Sequence, residues 1–315
     1  MGIDFQNVSF KHNPLGKINL KDINLSIESK GEFIFMLGHT GSGKSTLVQN
    51  MNALLLPYKG QIEVFDKKVI LSYKHPLKLN TKKNRLKYNL DESKHLLAKS
   101  NIPNYSRHLR EIRNHIGLVF QFPEYQLFEQ TVLKDVMFGP KNFGQKEDEA
   151  RVSAINALKL VGLREDYFEK SPFTLSGGEM RRVAIAGILA INPDIIILDE
   201  PTVGLDPKSK DNLMNLLEDI RNKTGKTIIV VSHDMNVVAE HATRIIVLDK
   251  GCIVYDGDKR RLFEDEDKLH EFKLDLPIIS KVAKELHAKE LINYHHLPLT
   301  KTELETVILG GDIYE

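Results

Sequence analysis

The sequence predicts an α/β fold with a mostly parallel central sheet. Two apolar runs rich in β-branched residues, 195–198 and 227–231, are each bounded by polar turns. Runs of this kind are typical of strands buried on both faces. Between them, Asp206 and Pro207 suit the N-cap and first position of a helix, and an apolar stripe follows at helical spacing: Leu213, Leu216, Leu217 and Ile220. Strand, helix and strand in this order indicate parallel strands joined by a crossover helix.

The first 52 residues predict a small antiparallel sheet, followed by the first strand and helix of the core. Apolar residues alternate with polar ones, which indicates strands with one face in water; they are Ile3, Phe5, Val8, Phe10, Ile18, Leu20, Ile23, Leu25 and Ile27. Residues 33–37 form a continuous apolar run that ends in a glycine-rich turn. We expect a buried strand there and a helix from Lys44 to about Asn52.

Composition narrows the class of protein. The 315 residues, 41% of them hydrophobic, suit a globular chain of about two domains, or one large α/β unit with an appendage. The single cysteine, Cys252, excludes a disulfide framework and cysteine-based zinc sites, and it suits a reducing cytosol. No apolar run reaches the roughly 18 residues of a membrane span, and the N-terminus lacks the apolar segment of a secretory signal. We therefore expect that the chain does not cross a membrane by itself.

The formal net charge of +1 conceals an uneven distribution. Residues 66–113 hold thirteen Lys and Arg and four acids, a net charge of +9, which leaves −8 for the rest of the chain. The segment contains Pro76 and Pro103 and has no sustained periodicity, so we interpret it as an insertion. Two interpretations stay open: a solvated surface excursion, or a contact with anionic lipid headgroups.

The strongest motif lies between the predicted strand 33–37 and the helix that begins at Lys44. It fits G-x-x-x-x-G-K-[ST] and reads Gly38-His39-Thr40-Gly41-Ser42-Gly43-Lys44-Ser45. Glycines let backbone N–H groups wrap a triphosphate, and the helix N-terminus adds positive potential. Lys44 is expected to bridge the β- and γ-phosphates, and the Ser45 hydroxyl to ligate Mg²⁺.

Two further motifs point to the same chemistry. Asp199 and Glu200 end a predicted buried strand; Asp199 can hold the Mg²⁺ shell, and Glu200 can orient or deprotonate an attacking water. The run Leu175-Ser176-Gly177-Gly178-Glu179 opens another helix and predicts a second anion site. One chain needs only one cradle for a γ-phosphate, so two interpretations of the pentapeptide stay open: an ordinary capped helix after a loop, or a second anion site.

Together with Gly204-Leu205-Asp206 and His233, these motifs resemble those of the ATP-binding cassette (ABC) ATPases, over about residues 3–260. The resemblance implies a P-loop NTPase core with an N-terminal antiparallel β-subdomain and a helical signature subdomain at about 122–176. It also implies ATP and Mg²⁺ as cofactors. Two cassettes would pack head to tail, with each ATP held between one phosphate loop and the opposite Ser176–Glu179.

The resemblance assigns roles position by position. Gln121 matches a glutamine that senses Mg²⁺, the lytic water and the membrane partner; Asp206 matches a loop that communicates between the two sites; His233 matches a histidine that contacts the γ-phosphate and positions Glu200. The implied catalytic residues are Lys44, Gln121, Glu200 and His233, and the implied metal ligands are Ser45, Gln121 and Asp199. The implied nucleotide-binding residues are His12, Gly38, His39, Thr40, Gly41, Ser42, Gly43, Lys44, Ser45, Thr46, Ser176, Gly177, Gly178, Glu179 and Asp206.

Two of these positions depart from the pattern of the family. His12 stands where an aromatic residue usually stacks on adenine, with Phe10 as a neighbouring aromatic substitute. Glu179 stands where glutamine is commoner, which places an acid near a polyphosphate.

A narrower resemblance is to the energy-coupling factor (ECF) transporter ATPases, in particular their second type of ATPase subunit. It is carried by His39-Thr40 and the runs 121–129 and 180–187. It implies a heterodimer of two related ATPases on the cytoplasmic face of the membrane, bound to an integral transmembrane coupling protein. A small membrane subunit would capture a vitamin or transition-metal ion. Glu124 or Glu129 would receive arginines from the coupling protein.

The chain divides into a cassette, 1–265, and an accessory segment, 270–315, that resembles the dimer-contact tail of those subunits. In that tail, Ile278, Val282 and Leu286 keep a four-residue helical spacing, and Thr300 with Glu303 fits a capping box.

The alternative function is a non-transport ABC ATPase that acts on nucleic acid or ribosomes. One set of motifs and no sustained heptad pattern favour the transporter.

Overall fold

A computed structural model describes residues 2–13, 16–65, 67–69 and 105–313, with the side chains of 67–69 and 105–108 excepted. The strands are β1 (Gly2–Phe10), β2 (Leu20–Glu28), β3 (Phe33–Leu37), β4 (Lys59–Val64), β5 (Lys67–Val69), β6 (Ile116–Val119), β7 (Ile195–Asp199), β8 (Thr227–Val231), β9 (Arg244–Asp249) and β10 (Cys252–Gly257). An antiparallel sheet has the order β2-β1-β4-β5, and a six-stranded sheet has the order β10-β9-β3-β8-β7-β6. In the larger sheet only β10 runs antiparallel to its neighbour.

The helices that precede β8 or follow it directly are α1 (Lys44–Met51), α2 (Tyr105–His115), α3 (Val132–Asn142), α4 (Glu147–Leu160), α5 (Gly177–Leu189), α6 (Pro207–Thr224) and α7 (Met235–His241). Those after β10 are α8 (Lys259–Phe263), α9 (Glu266–Phe272), α10 (Ile278–Ala288) and α11 (Lys301–Ile308). None of the described helices is long and apolar enough to cross a membrane.

The central strands are apolar along their whole length because both faces of the sheet are covered. In β3, Phe33 and Phe35 enter one hydrophobic cluster, whereas Ile34 and Met36 enter the cluster on the other face. Successive side chains of a strand point to opposite faces, so two cores require an unbroken apolar run. This confirms the α/β fold with a mostly parallel sheet.

The N-terminal sheet alternates buried and exposed residues as predicted. In β2 the buried residues are Leu20, Ile23, Leu25 and Ile27. Ile18 precedes the strand and is 47% exposed, so it does not belong to this face. The pairing of β1 with β2 shifts register between Phe5 and Val8, where Asn7 has a φ of 50°.

Both ends of the predicted insertion 66–113 carry regular structure. Strand β5 pairs with β4, and α2 leads directly into β6. Ile112 of α2 is buried against the core, and Arg113 donates to the carbonyl of Ala53 at 3.1 Å. Helix α2 was not predicted from the sequence, because its few apolar residues are set among many charged ones. Residues 66 and 70–104, which hold most of the positive charge, lie outside the described residues.

The C-terminal helices contact the cassette through polar and apolar groups. Arg260 of α8 donates to Glu303 at 2.6 Å and to the carbonyl of Leu297 at 2.9 Å. Helix α10 forms where its apolar spacing predicts, but Ile278 and Val282 are exposed while Ser280 and Ala283 are buried. The spacing therefore identified the helix and not its buried face.

Candidate functional site

The loop between β3 and α1 has the backbone that phosphate binding requires. Gly38 has a φ of 140°, and a Cβ there would lie 2.2 Å from the carbonyl oxygen of Leu248. Gly43 precedes α1 with a φ of 109°, and no side chain caps the helix. The first N–H groups of α1 therefore remain available to an anion. The hydroxyl of Ser42 is buried without a hydrogen-bond partner among the described residues, as fits a loop that is completed by a ligand.

Lys44 lies folded against this loop. Its side chain is largely buried, and its ammonium donates to the carbonyls of Gly38 at 2.6 Å and His39 at 3.2 Å. Burial lowers the pKa of Lys44, while the carboxylates of Glu200 and Asp199 act in the opposite direction. A triphosphate can replace the two carbonyls with stronger, charge-assisted partners.

Ser45 and Asp199 lie next to each other at the carboxyl end of β7. The Ser45 hydroxyl hydrogen-bonds Asp199, and burial raises the pKa of that carboxyl. Among the described residues no three His, Cys, Asp or Glu side chains form a group that could hold a metal ion. Ser45 and Asp199 nevertheless suit Mg²⁺, which prefers a few hard oxygen ligands together with phosphate and water.

Glu200 lies at the centre of the site. Gln121, just after β6, donates from Nε2 to Glu200 Oε2 at 3.4 Å, and His233 Nδ1 lies 3.6 Å from Glu200 Oε1. Glu200 has a φ of 49°, and its N–H donates to the carbonyl of Val231. Three strand ends of one parallel sheet thus bring Gln121, Glu200 and His233 together.

The residues of the predicted second anion site, Ser176–Glu179, lie at the start of α5. Ser176 caps α5, and Glu179 accepts hydrogen bonds from the Ser176 N–H at 2.9 Å and hydroxyl at 2.7 Å. These bonds lower the pKa of Glu179. Within the described part of the chain, no hydrogen bond joins 176–179 to the phosphate loop 38–46. Asp206 likewise caps α6, accepting from the N–H of Ser209 at 3.1 Å.

His12 lies beside the phosphate loop. Its Nε2 is 3.2 Å from the Thr46 hydroxyl, and its ring is exposed. Phe10 packs edge-on against His12, with ring centroids 4.9 Å apart, but Phe10 is buried. Of these two rings, only His12 has a face that a base could cover.

Arg181, the fifth residue of α5, is not among the site residues predicted from the sequence. Its guanidinium is buried and donates twice to Glu124, at 2.9 and 3.2 Å. Although burial acts to raise it, the pKa of Glu124 is lowered by these hydrogen bonds. These bonds and the 14% exposure of its side chain leave Glu124 little surface for an arginine of another protein, and that role stays a prediction. The signal in the sequence is the helical spacing of Arg181 from the apolar residues Ala184 and Ile188.

A cleft of about 600 Å³ opens beside Glu200 and His233. Its walls include Gly204 and Leu205 on one side and, unexpectedly, Asp275 and Leu276 of the C-terminal segment on the other. The N–H of Ile278 donates to Asn236 Oδ1 at 2.8 Å, which attaches the segment to the helix that follows His233. The appendage thus extends to the rim of the candidate site.

Comparisons with known proteins agree with this geometry. The family described as ABC transporter matches residues 20–203. The energy-coupling factor transporter ATP-binding protein EcfA2 of Ligilactobacillus salivarius is 43% identical over 305 residues, covering 96% of this chain and 94% of that protein. Its namesake from Streptococcus sanguinis is 42% identical over 313 residues, covering 98% of this chain and 100% of that protein.

Solved structures extend the comparison to the fold. CbiO1 of Clostridium perfringens, described as part of the ABC transporter complex cbiONQ, superposes with a TM-score of 0.69 at 31% identity, covering 91% of this chain and 98% of that one. The ATP-binding cassette MJ0796, as a dimer bound to ADP and Pi, superposes with a TM-score of 0.61 at 31% identity, covering 82% of this chain and 99% of that one. The chain therefore belongs to the ABC transporter ATPases and, among them, to the ATP-binding proteins of energy-coupling factor transporters.

Proposed function

We propose that this chain binds and hydrolyses ATP as a subunit of an energy-coupling factor importer. The observation that carries the proposal is the convergence of Lys44, Gln121, Asp199, Glu200 and His233 at the carboxyl edge of one parallel sheet. Ligands of open α/β sheets bind at this edge. The relatives named as ECF transporter ATP-binding proteins, which match the chain over nearly its full length, support the transport role.

The chemistry is divided among these residues by position. Lys44 and the loop N–H groups hold the phosphates, while Ser45 and Asp199 would hold Mg²⁺, which neutralises charge on the phosphates. Glu200, fixed between Gln121 and His233, accepts a proton from the attacking water or orients it. His12 contributes a stacking face for the base. Catalysis is then positioning and charge stabilisation, without a covalent intermediate.

The separate site at Ser176–Glu179 supports a head-to-tail dimer with a second, related ATPase. A capped helix N-terminus that makes no hydrogen bond to the chain's own phosphate loop, within the described residues, has an anion to bind only if another cassette supplies it. Exposed apolar side chains of the tail are available for further contact between the two subunits; they are Leu291 (66% exposed), Ile308 (55%) and Leu309 (86%).

Glu179 gives a direct test of that arrangement. We expect Glu179→Gln to lower the KM for ATP about two- to fivefold, because the amide oxygen keeps the cap while the negative charge beside the partner's ATP is lost. Steady-state hydrolysis by the assembled ATPase measures it. Glu149→Gln is the matched control, since Glu149 caps α4 by the same bond, to the N–H of Lys146. An equal change in both variants contradicts the dimer site.

A patch of exposed aromatic side chains beside Gln121 is the surface we assign to the transmembrane coupling protein. Phe122 and Tyr125 contact each other with centroids 6.1 Å apart, and Phe128 and Phe138 at 4.8 Å. All four are at least 38% exposed, and Tyr125 is 84% exposed. Apolar surface of this kind marks interaction sites. Because Glu124 is bonded to Arg181, we favour Glu129 as the acid that receives a partner's arginine.

We expect Tyr125→Asp to abolish copurification with the membrane subunits while ATP affinity stays within twofold, because a buried charge is costly in an apolar interface. Affinity purification in detergent followed by mass spectrometry measures the association. Val152→Asp is the control, since Val152 is 59% exposed on α4, outside the patch. Assembly of the Tyr125 variant as well as the control would exclude the patch as the docking surface.

The same purification tests the whole proposal and identifies the membrane subunit that captures the substrate, a vitamin or a transition-metal ion. Detergent-dependent association with membrane proteins supports an importer on the cytoplasmic face. Nuclease-sensitive association with ribosomes or DNA would support the non-transport alternative instead. Anionic lipid is the partner that the charge of 66–113 would fit.

A further inference from the structure

Arg181 occupies a junction between three segments of the chain. It is 5% exposed, and it extends from α5 to the 3-10 helix Pro123–Gln126 and to the turn after Glu200. Besides the two bonds to Glu124, its Nη1 donates to the carbonyl of Pro201 at 2.7 Å and of Val203 at 3.5 Å. The guanidinium of Arg181 and the carboxylate of Glu124 are 6% and 14% exposed, so the pair is screened very little by water.

Both segments that Arg181 contacts begin with a strained residue. Phe122 has a φ of 54° and Glu200 a φ of 49°. Residues with a Cβ occupy this region only where surrounding contacts hold them there. Phe122 directly follows Gln121, and Pro201 directly follows Glu200. One guanidinium therefore bonds Glu124, two residues after Phe122, and Pro201, the residue after Glu200.

We propose that Arg181 is a positioning residue for hydrolysis that sets the distance between Gln121 and Glu200. These two side chains meet at 3.4 Å, and each is carried by a turn that Arg181 holds. The planar fork of arginine can bond a carboxylate and a carbonyl at fixed angles, which lysine cannot do. No hydrogen bond of Arg181 extends to the phosphate loop in the described residues, so its effect is confined to the hydrolytic side of the site.

This role predicts a kinetic pattern that a purely structural ion pair does not. Displacing Gln121 and Glu200 lowers the rate of the chemical step, whereas the binding of ATP by Lys44 and the phosphate loop is unchanged. A loss of fold would instead reduce the amount of active protein and its thermal stability.

Arg181→Lys is the variant of choice because it keeps a positive charge beside Glu124. In the full-length protein purified with its associated subunits, we expect kcat for ATP hydrolysis to fall at least tenfold, with KM for ATP within twofold. Arg164→Lys is the matched control, an exposed arginine paired with Asp166, and it should leave both constants unchanged. If Arg181→Lys does not fold, Glu124→Gln, which keeps the shape of the partner, serves the same comparison.

A second comparison tests whether Arg181 affects hydrolysis through Gln121 or independently of it. In a Gln121→Ala background, Arg181→Lys is expected to lower kcat by less than threefold, because its action passes through Gln121 and Glu200. The same factor in both backgrounds, or a raised KM with unchanged kcat, overturns the inference.

The inference rests on the proposed ATP hydrolysis, but different results would refute the two. An unmodified protein without ATPase activity refutes the function, whereas an active protein whose kcat is unaffected by Arg181→Lys refutes only the positioning role.

Discussion

Glu200→Gln is expected to abolish ATP turnover, by about a thousandfold or more, and to trap an ATP-bound dimer. Removal of a general base costs on the order of 10² to 10⁴ in rate, and here the same carboxylate also receives Gln121 at 3.4 Å. Glutamine keeps the size of the side chain, so the phosphate loop still binds ATP. Phosphate release measures turnover, and size-exclusion chromatography with ATP measures the dimer.

The control for this variant is Glu169→Gln, a glutamate whose side chain is 69% exposed and lies 3.8 Å from Arg151. It should hydrolyse ATP at the rate of the unmodified protein. The decisive measurement uses a complex in which the partner's ATP site is disabled. Normal turnover by Glu200→Gln in that complex would remove Glu200 from the catalytic residues.

Lys44→Met is expected to weaken ATP binding by a hundredfold or more. A hydrogen bond to a charged group contributes about 1.5–3 kcal/mol, and loss of two such bonds to phosphate exceeds the roughly 2.7 kcal/mol of a hundredfold change. Lys226→Met is the matched control. Lys226 is also a lysine whose pKa is lowered by burial, and it donates to the carbonyl of Pro193, but it lies at the opposite, amino edge of the sheet. Equal ATP affinities for the two variants, by equilibrium binding, would contradict the role of Lys44.

The lowered pKa of Lys44 also sets the sign of a pH effect. Its ammonium loses the proton at a lower pH than an exposed lysine does, so ATP affinity should fall as the pH rises through that lowered value. Binding of ATP favours the charged form and so takes up a proton in this range. Lys44→Arg should remove the alkaline decline, because arginine stays charged.

Local patterns were sufficient to predict the phosphate loop and three strands of the central sheet, β3, β7 and β8, but not β6, β9 and β10. The glycines and Lys44 lie within one short motif, 38–45, and the buried strands are continuous apolar runs. Such features can be predicted because the conformation of each residue depends mainly on its neighbours in the chain. The face of α10 could not be predicted in this way. Ile278 and Val282 are exposed although Ala283 is buried, because the surface that covers the helix belongs to other segments.

The fold class and the family follow from the sequence alone, as does the prediction of which residues bind phosphate, since short motifs encode the turns and helix starts that suit an anion. How those motifs are held relative to one another follows from packing between segments that are distant in the sequence. Arg181 and Glu124 are 57 residues apart, and neither lies in a phosphate-binding motif, yet their buried contact joins the turns that carry Gln121 and Glu200. A buried charge must find its partner wherever the chain brings one, and spacing along the sequence does not reveal where that is.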